Sequence, residues 1–144
     1  MFKSRLNLRN VTVACIAAIM FSGCDAHYDY IFKVANQTGV SVRVEAVGYN
    51  NRDEVFSIPA GEIVTIFREG GMTGSAKYVP EDRYQNANSS SNLPPIKKFE
   101  VYVGNTLLSD SVRLRKYWDY SAQKLLGTYT LIVTEKLLED LGME

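Results

Sequence analysis

The sequence predicts an all-β domain of two packed antiparallel sheets, with one short helix at its C-terminal end. Three observations lead to this prediction. Most apolar segments alternate apolar and polar residues with period two, which is typical of strands that bury one face. These segments are short and separated by turn residues, and no long segment shows the period of a helix. One long connection, residues 69–95, is poor in apolar residues and joins two groups of strands.

The first half of the domain predicts two hairpins. Residues 28–34 and 40–46 alternate on either side of the turn sequence NQTG, so we expect them to pair with each other. Residues 55–58 and 62–68 flank the turn sequence PAG, in which proline presets φ and glycine tolerates positive φ. We expect these two segments to form the second pair.

The connection over residues 69–95 contains the polar run NANSSSN and few apolar anchors. Connections longer than about 12–15 residues are uncommon in compact domains and are usually functional or disordered. We expect a solvated crossover between the sheets, mobile over residues 70–95. A ligand-binding loop is the alternative.

The second half begins with a strand over residues 96–103, a tight turn at Gly104-Asn105 and a return strand. Residues 112–118 alternate again and are expected to form a strand whose charged face points outward. Residues 119–126 are expected to form a loop or a short helical turn.

Residues 127–134 are the segment richest in β-branched side chains, and its centre is apolar on both faces. Such a strand belongs inside a sheet rather than at its edge. Thr134 is placed to cap a short helix over residues 135–141, which Gly142 ends. Seven or eight short strands favour an immunoglobulin-like sandwich, with a small barrel as the alternative. The Cys-Trp-Cys pattern of antibody domains is absent from the sequence, so the prediction concerns architecture alone.

The N-terminal segment has the layout of a bacterial secretory signal that ends in a lipobox. Three basic residues precede an apolar run over residues 11–21, and Ser22-Gly23-Cys24 follows. Small residues before the cleaved bond let the signal peptidase seat the backbone, and the thiol of Cys24 receives the diacylglycerol. The apolar run is too short to cross a bilayer, which takes about 20 residues. Cleavage by an ordinary signal peptidase is the alternative, but it would leave Cys24 as an unpaired thiol in an oxidising compartment.

These features divide the chain into a signal peptide over residues 1–23, a lipidated tether over 24–29 and a β-sandwich domain over 30–144. Cleavage removes three of the 16 basic residues and no acidic one, so 13 basic side chains remain against 16 acidic ones. The mature chain therefore has a net charge of −3, which gives no reason to bind nucleic acid. Attachment to a membrane then depends on the acyl chains of Cys24.

The sequence contains no motif for catalysis, for a cofactor or for a metal. The only histidine, His27, lies three residues after the predicted lipid attachment site, so we expect no Ser-His pair. Cys15 leaves with the signal and Cys24 carries the lipid, so we expect no thiolate metal site. We therefore expect no catalytic residue, no metal and no cofactor. The remaining enzymatic alternative is a glycan hydrolase that uses a carboxylate pair, with Glu81, Asp82 and Asp119 as the acids.

The segment Tyr117-Trp118-Asp119-Tyr120 is the candidate binding site. Aromatic faces stack on sugar rings and a carboxylate accepts hydrogen bonds from sugar hydroxyl groups, so an exposed cluster of this kind suits a glycan. The alternative is structural, because Trp118 falls in register with Val112 and Leu114 and would then be a core residue.

The lipobox FSGC followed by an alternating β domain of this size resembles the small secreted lipoproteins of Bacteroidetes. The resemblance implies an outer-membrane-associated β-sandwich with a glycan or an envelope protein as its partner, in either the periplasmic or the cell-surface leaflet. Asp110-Ser111-Val112 resembles the O-glycosylation sequon of the same group, which makes Ser111 a predicted glycosylation site. We expect a lipid-anchored, non-catalytic binding or adhesive module of the cell envelope. A structural subunit of an envelope lipoprotein complex is the alternative.

Overall fold

Two four-stranded sheets make up most of the computed structural model, which describes residues 25–85 and 93–142. The strands are β1 (Ala26–Asn36), β2 (Val42–Val47), β3 (Asp53–Ile58), β4 (Ile63–Thr73), β5 (Lys98–Val103), β6 (Thr106–Leu107), β7 (Trp118–Gln123) and β8 (Leu126–Val133). Two 3-10 turns, Asp110–Arg113 and Arg115–Tyr117, lie between β6 and β7, and the helix α1 spans Glu135–Asp140. The sheets enclose one apolar core, so the prediction of a β-sandwich with a short C-terminal helix is confirmed.

Sheet A has the strand order β4-β1-β8-β7, and sheet B has the order β3-β2-β5-β6. β1 and β8 run parallel, with Asp29 opposite Leu126 and Asn36 opposite Val133, whereas the other neighbouring strands are antiparallel. The prediction of purely antiparallel sheets is therefore wrong for sheet A. Alternation along a strand shows which face is buried, but it carries no information about the direction of the neighbouring strand.

The predicted hairpin between the first two strands is wrong, because β1 and β2 lie in different sheets. The buried side chain of Asn36 explains the change of sheet. Its Nδ2 group donates to the carbonyl oxygens of Val40 at 2.7 Å and of Ile58 at 2.8 Å. Its Oδ1 atom accepts from the backbone N–H of Thr38 at 2.9 Å and from the Thr38 hydroxyl at 2.8 Å. These bonds fix the turn as a connection between sheets.

β3 and β4 do not form the predicted second pair either. β3 pairs with β2 in sheet B, and β4 pairs with β1 in sheet A. Gly61 permits the tight connection, since its φ of +82° lies in the left-handed region and its N–H donates to the carbonyl oxygen of Asn36 at 2.8 Å. Both predicted hairpins are thus inter-sheet connections, which a short turn sequence does not distinguish from a hairpin turn.

Three predictions for the second half are confirmed. β5 and β6 form a hairpin around Gly104, which has a φ of +58°. β8 lies inside sheet A, between β1 and β7. The helix α1 follows Thr134, whose hydroxyl oxygen accepts a hydrogen bond from the backbone N–H of Leu137 at 3.1 Å.

Residues 112–118 do not form the predicted strand, and β7 occupies part of the segment that was expected to be a loop. The first 3-10 turn is capped by Ser109, whose hydroxyl oxygen accepts from the backbone N–H of Ser111 at 3.2 Å. Val112 and Trp118 are six residues apart, which is two turns of a 3-10 helix, and both are still buried. The extended Leu114 separates the two turns and Trp118 begins β7, so the alternation located these two buried residues but not the turns between them.

β1 begins at Ala26, so residues 26–29 belong to sheet A rather than to the predicted tether. β1 and β4 contain 11 residues each, whereas β2 and β3 contain six. The sheets are joined where β1 ends, and strands rise about 3.3 Å per residue, so sheet A extends beyond sheet B at the end where β1 begins. Residues 74–85 cover the inner face of this extension through hydrogen bonds to its tyrosines.

Candidate functional site

The structure does not bring the four candidate residues together on one surface. Trp118 is 1% exposed, and its Nε1 group donates to the carbonyl oxygen of Val112 at 2.8 Å. The alternation of β7 turns Trp118 and Tyr120 toward the core and Asp119 toward solvent, while Tyr117 is half-buried at the end of a 3-10 turn. The position of Trp118 agrees with the structural alternative that its register predicted.

Tyr120 lies beneath the segment that follows β4. Its hydroxyl donates to the carbonyl oxygen of Pro80 at 2.6 Å, and its ring packs on Tyr129 with 4.7 Å between the ring centres. Gly127 makes room for these rings, since a Cβ atom there would lie 2.6 Å from the ring of Tyr30 and 3.1 Å from the Tyr120 hydroxyl. Tyr120 therefore belongs to an internal tyrosine cluster and not to an exposed platform.

Tyr117 and Asp119 line an open groove of about 570 Å³ between the outer face of sheet A and the C-terminal helix. The groove combines hydroxyl, amide, ammonium and carboxylate groups with one aromatic ring, and its further lining residues are Gln37, Lys116, Ile132, Thr134, Lys136, Leu137 and Asp140. The ammonium group of Lys116 lies 4.6 Å from the centre of the Tyr117 ring. The groove thus offers both donors and acceptors of hydrogen bonds beside a partly exposed ring.

The groove lies at the end of the sandwich where β1 and β8 both end. Gln37 follows β1, Thr134 follows β8 and Tyr117 precedes β7. β1 has 11 residues at a rise of about 3.3 Å each, so the groove is about 30 Å from the point where the chain enters the sheet at Ala26.

A second group of side chains binds the segment after β4, residues 74–85, to the inner face of sheet A. The Tyr30 hydroxyl donates to the carbonyl oxygen of Glu81 at 2.8 Å, and the backbone N–H of Arg83 donates to the Tyr129 hydroxyl at 3.0 Å. The Arg83 guanidinium lies 4.2 Å from the centre of the Tyr30 ring and pairs with Glu69. Burial raises the pKa of Tyr30 to about 12, against the opposing effect of the Arg83 charge.

Asp82 is the centre of this group of side chains. Its carboxylate accepts hydrogen bonds from the Tyr129 hydroxyl at 2.9 Å, from the backbone N–H of Tyr84 at 3.1 Å and from Arg115 Nη2 at 2.5 Å. Burial acts to raise the pKa of Asp82, but the hydrogen bonds from Arg115, Tyr129 and Tyr84 outweigh it and hold the pKa below its ordinary value. A carboxylate that is ionised and occupied in this way is poorly suited to act as a general acid.

The connection predicted over residues 69–95 does join the two sheets, because β4 lies in sheet A and β5 in sheet B. Residues 74–77 are exposed as expected, but the connection is not a solvated loop throughout. Residues 69–73 belong to β4, and residues 80–84 are held by tyrosine hydroxyls and by Arg115. The polar run over residues 86–92 lies outside the described residues. Sequence reasoning missed the contact between Asp82 and Arg115 because the two residues are 33 positions apart, and no local pattern connects them.

Within residues 25–85 and 93–142, no group of three or more His, Cys, Asp or Glu side chains could hold a metal ion. His27 is exposed in β1, and its Nε2 atom lies 3.0 Å from the carboxylate of Asp29. In the same part of the chain, no helix is long and apolar enough to cross a membrane. Cys24, the predicted lipid attachment site, lies outside the described residues.

Ser111 is partly exposed at the start of a 3-10 turn, next to the exposed Asp110 and the buried Val112. If the sequon resemblance holds, the native protein carries a glycan on this side chain. We expect the intact mass of the native protein to exceed that of a Ser111→Ala variant by more than the one oxygen atom that the substitution removes. A native mass explained by peptide and lipid alone would exclude the modification.

Comparison of the chain with protein-family models, with curated proteins and with solved structures finds no significant match. The function therefore has to be argued from the chain's own residues. Two structural features bear on it: the groove beside Tyr117 and Asp119, and the position of that groove relative to the N-terminal end of β1.

Proposed function

We propose that this chain is a lipid-anchored, non-catalytic binding module of the cell envelope, of the Bacteroidetes lipoprotein type and with an immunoglobulin-like scaffold. The observation that supports the proposal most is the position of the groove at the end of the sandwich opposite the start of β1. Tyr117 and Asp119 line it at one end of the sandwich, whereas the chain enters from Cys24 at the other end. Anchoring through Cys24 would therefore present the groove to the space away from the membrane, and the outer membrane is the expected location.

Acylation of Cys24 is the first expected result. The thiol follows a basic segment, an apolar run and two small residues, which is the order that a lipoprotein signal peptidase reads. Metabolic labelling with an alkyne analogue of palmitate should mark the wild-type chain and leave a Cys24→Ala variant unmarked. Equal labelling of both chains would rule out Cys24 as the anchor.

The chemistry of the groove favours a hydroxyl-rich ligand. Lys116 and Lys136 offer hydrogen-bond donors, and Asp119 and Asp140 offer acceptors. The two positive and two negative charges give the lining of the groove a net charge of zero. A neutral glycan has many hydroxyl groups that serve as both donor and acceptor, and its rings carry apolar faces that pack on an aromatic side chain. The ring of Tyr117 fits that second role.

Binding of the intact lipoprotein to an array of neutral glycans tests this assignment. Asp119→Asn should weaken binding about tenfold, because a hydrogen bond to a charged group contributes about 1.5–3 kcal/mol. Tyr117→Ala should weaken binding by a similar factor, because it removes the ring that packs on the sugar. Ser121→Ala is the matched control, since Ser121 lies on the same outward face of β7 and is exposed. Binding that both groove variants leave unchanged would exclude the groove as the site.

A structural subunit of a lipoprotein complex is the second candidate, and the edge of sheet A supports it. β4 has 11 residues and, within the part of the chain that the structure describes, pairs only with β1. Its exposed side chains include Ile63 and Met72, at 52% and 69% exposure. Long unpaired edges of this kind accept a strand from a partner. A partner that protects the β4 amides from hydrogen exchange, together with a silent glycan array, would favour this function.

The carboxylate-based hydrolase has less support than either candidate. Asp82, one of the acids that it would use, lies within the segment after β4 and is bound to Arg115 and Tyr129. Asp119 lies on the outward face of β7.

A further inference from the structure

The end of the sandwich at which β1 begins is formed by three segments of the chain. Ala26 of β1 pairs with Thr73 at the end of β4. The backbone N–H of Leu125, in the turn between β7 and β8, donates to the carbonyl oxygen of Tyr78 at 2.8 Å. These contacts bring the start of β1, residues 72–79 and residues 124–125 to the same end of the sandwich, which we call the proximal end.

The proximal end lies close to the predicted anchor along the chain. Cys24 and Ala26 are two residues apart, and an extended chain spans at most about 3.6 Å per residue, so the two Cα atoms are within about 7 Å of each other. β1 is paired on one side with β4 from Ala26 and on the other side with β8 from Asp29. The predicted six-residue tether is thus shortened to the residues before Ala26, and the domain has little freedom to move away from an acylated Cys24.

The side chains of the proximal end match the chemistry of a bilayer surface. Met72 and Val79 are large apolar residues with 69% and 51% of their surface exposed. Lys77 and Lys124 are also exposed, and each lies next in sequence to one partner of the hydrogen bond from Leu125 to Tyr78. Apolar side chains favour the boundary of the acyl region, and ammonium groups favour the lipid phosphates.

The acidic side chains at this end are Asp25 and Asp29. Asp29 is compensated by two neighbours, since its carboxylate lies 3.0 Å from His27 Nε2 and 3.6 Å from Arg68 Nη1. Asp25 is exposed and directly follows Cys24. The proximal end therefore carries two lysines and one aspartate that has no paired cation within the described part of the chain. This charge does not oppose contact with phospholipid headgroups.

We infer that the proximal end is a membrane contact surface, at which Met72 and Val79 enter the interface of the bilayer and Lys77 and Lys124 lie at the level of the lipid phosphates. This inference rests on the proposed acylation of Cys24. It adds a fixed orientation to the anchor: the long axis of β1 stands away from the bilayer, and the groove beside Tyr117 lies about 30 Å above it.

Site-directed labelling of the acylated full-length protein tests the orientation. Once the signal with Cys15 is removed and Cys24 is acylated, the mature chain has no free thiol, so a single introduced cysteine can carry an environment-sensitive fluorophore. Val79→Cys and Lys124→Cys probe two segments of the proximal end. Asn105→Cys is the matched control, because Asn105 is equally exposed in the turn between β5 and β6 at the opposite end.

Each labelled protein is reconstituted in vesicles of phosphatidylethanolamine and phosphatidylglycerol that contain a nitroxide-labelled phospholipid. The fluorophores at positions 79 and 124 should be quenched strongly and emit at shorter wavelength than the fluorophore at position 105, which should be unaffected. If the protein floats with the vesicles but quenching is weak or equal at all three positions, the acyl anchor is supported and the inferred contact surface is overturned. Failure to float would refute the anchor, and the inference with it.

Discussion

Replacing Trp118 by alanine is expected to lower the free energy of unfolding by about 3–5 kcal/mol. Trp118 is the only tryptophan of the chain and is 1% exposed. Its ring lies between two phenylalanines of opposite sheets, with centre-to-centre distances of 6.2 Å to Phe32 and 5.8 Å to Phe99. The substitution leaves a cavity between the sheets and deprives the Val112 carbonyl oxygen of its donor.

Urea unfolding measured by circular dichroism gives this loss directly. Asp119→Ala is the matched control, since Asp119 is the next residue along β7 but is exposed, and its replacement should change the stability by no more than about 0.5 kcal/mol. In the wild-type protein, the tryptophan emission should be blue-shifted and poorly quenched by iodide. A red, easily quenched emission together with a small effect of Trp118→Ala would contradict the buried position.

Replacing Asp82 by asparagine is expected to lower the free energy of unfolding by about 3 kcal/mol, because it removes the counter-charge of Arg115. The side chains of Asp82 and Arg115 are only 11% and 23% exposed, so solvent compensates the remaining guanidinium poorly. The hydrogen bond that the Tyr129 hydroxyl donates to Asp82 is also weakened. The segment after β4 should then be held less tightly to sheet A and be cleaved more readily by a protease.

Unfolding in urea and limited proteolysis near residues 74–85 measure the two effects of Asp82→Asn. The neighbouring side chain of Glu81 is exposed and supplies the control, because Tyr30 binds only its backbone carbonyl oxygen. Glu81→Gln should therefore leave both stability and cleavage rate nearly unchanged. Equal behaviour of the two variants would show that the pair of Asp82 and Arg115 does not hold the segment.

The same carboxylate predicts a dependence of stability on pH. The pKa of Asp82 in the folded protein is lowered from the ordinary value of 3.8. A lowered pKa means that the folded state binds this proton less readily than the unfolded state, so the contribution of Asp82 is complete above the ordinary value. It is lost as the pH falls through the lowered value. The wild-type protein should lose stability in this acidic range, and the loss should be smaller in Asp82→Asn.

The segments of regular structure that were predicted correctly are those controlled by local interactions. Period-two alternation located most of the strands, because each strand buries one face whatever its partner is. The helix after Thr134 was predicted from a cap that spans three residues, and the hairpin at Gly104 from a residue that adopts positive φ. The prediction for residues 110–117 failed because apolar residues at every second position indicated a strand, whereas the backbone forms two 3-10 turns separated by the extended Leu114.

The candidate site was predicted only in part. Tyr117 and Asp119 do lie beside one groove, but Trp118 and Tyr120 point to the other face of β7. The period of a strand forces this division, since adjacent residues face opposite sides of the sheet. The contribution of the helix α1 to the groove was not predicted, because nothing in the local sequence shows where a terminal helix packs.

The sequence by itself determined that the domain consists mainly of short strands, the face that most strands bury and the cap of the last helix. These properties depend on residues close together in the chain. The tertiary structure decided which strands are neighbours, that β1 and β8 run parallel, that Asp82 meets Arg115, and that the groove lies at the end of the sandwich opposite the start of β1. Each of these depends on contacts between residues far apart in the chain, which form only when two whole sheets pack together and bury their apolar faces in a common core.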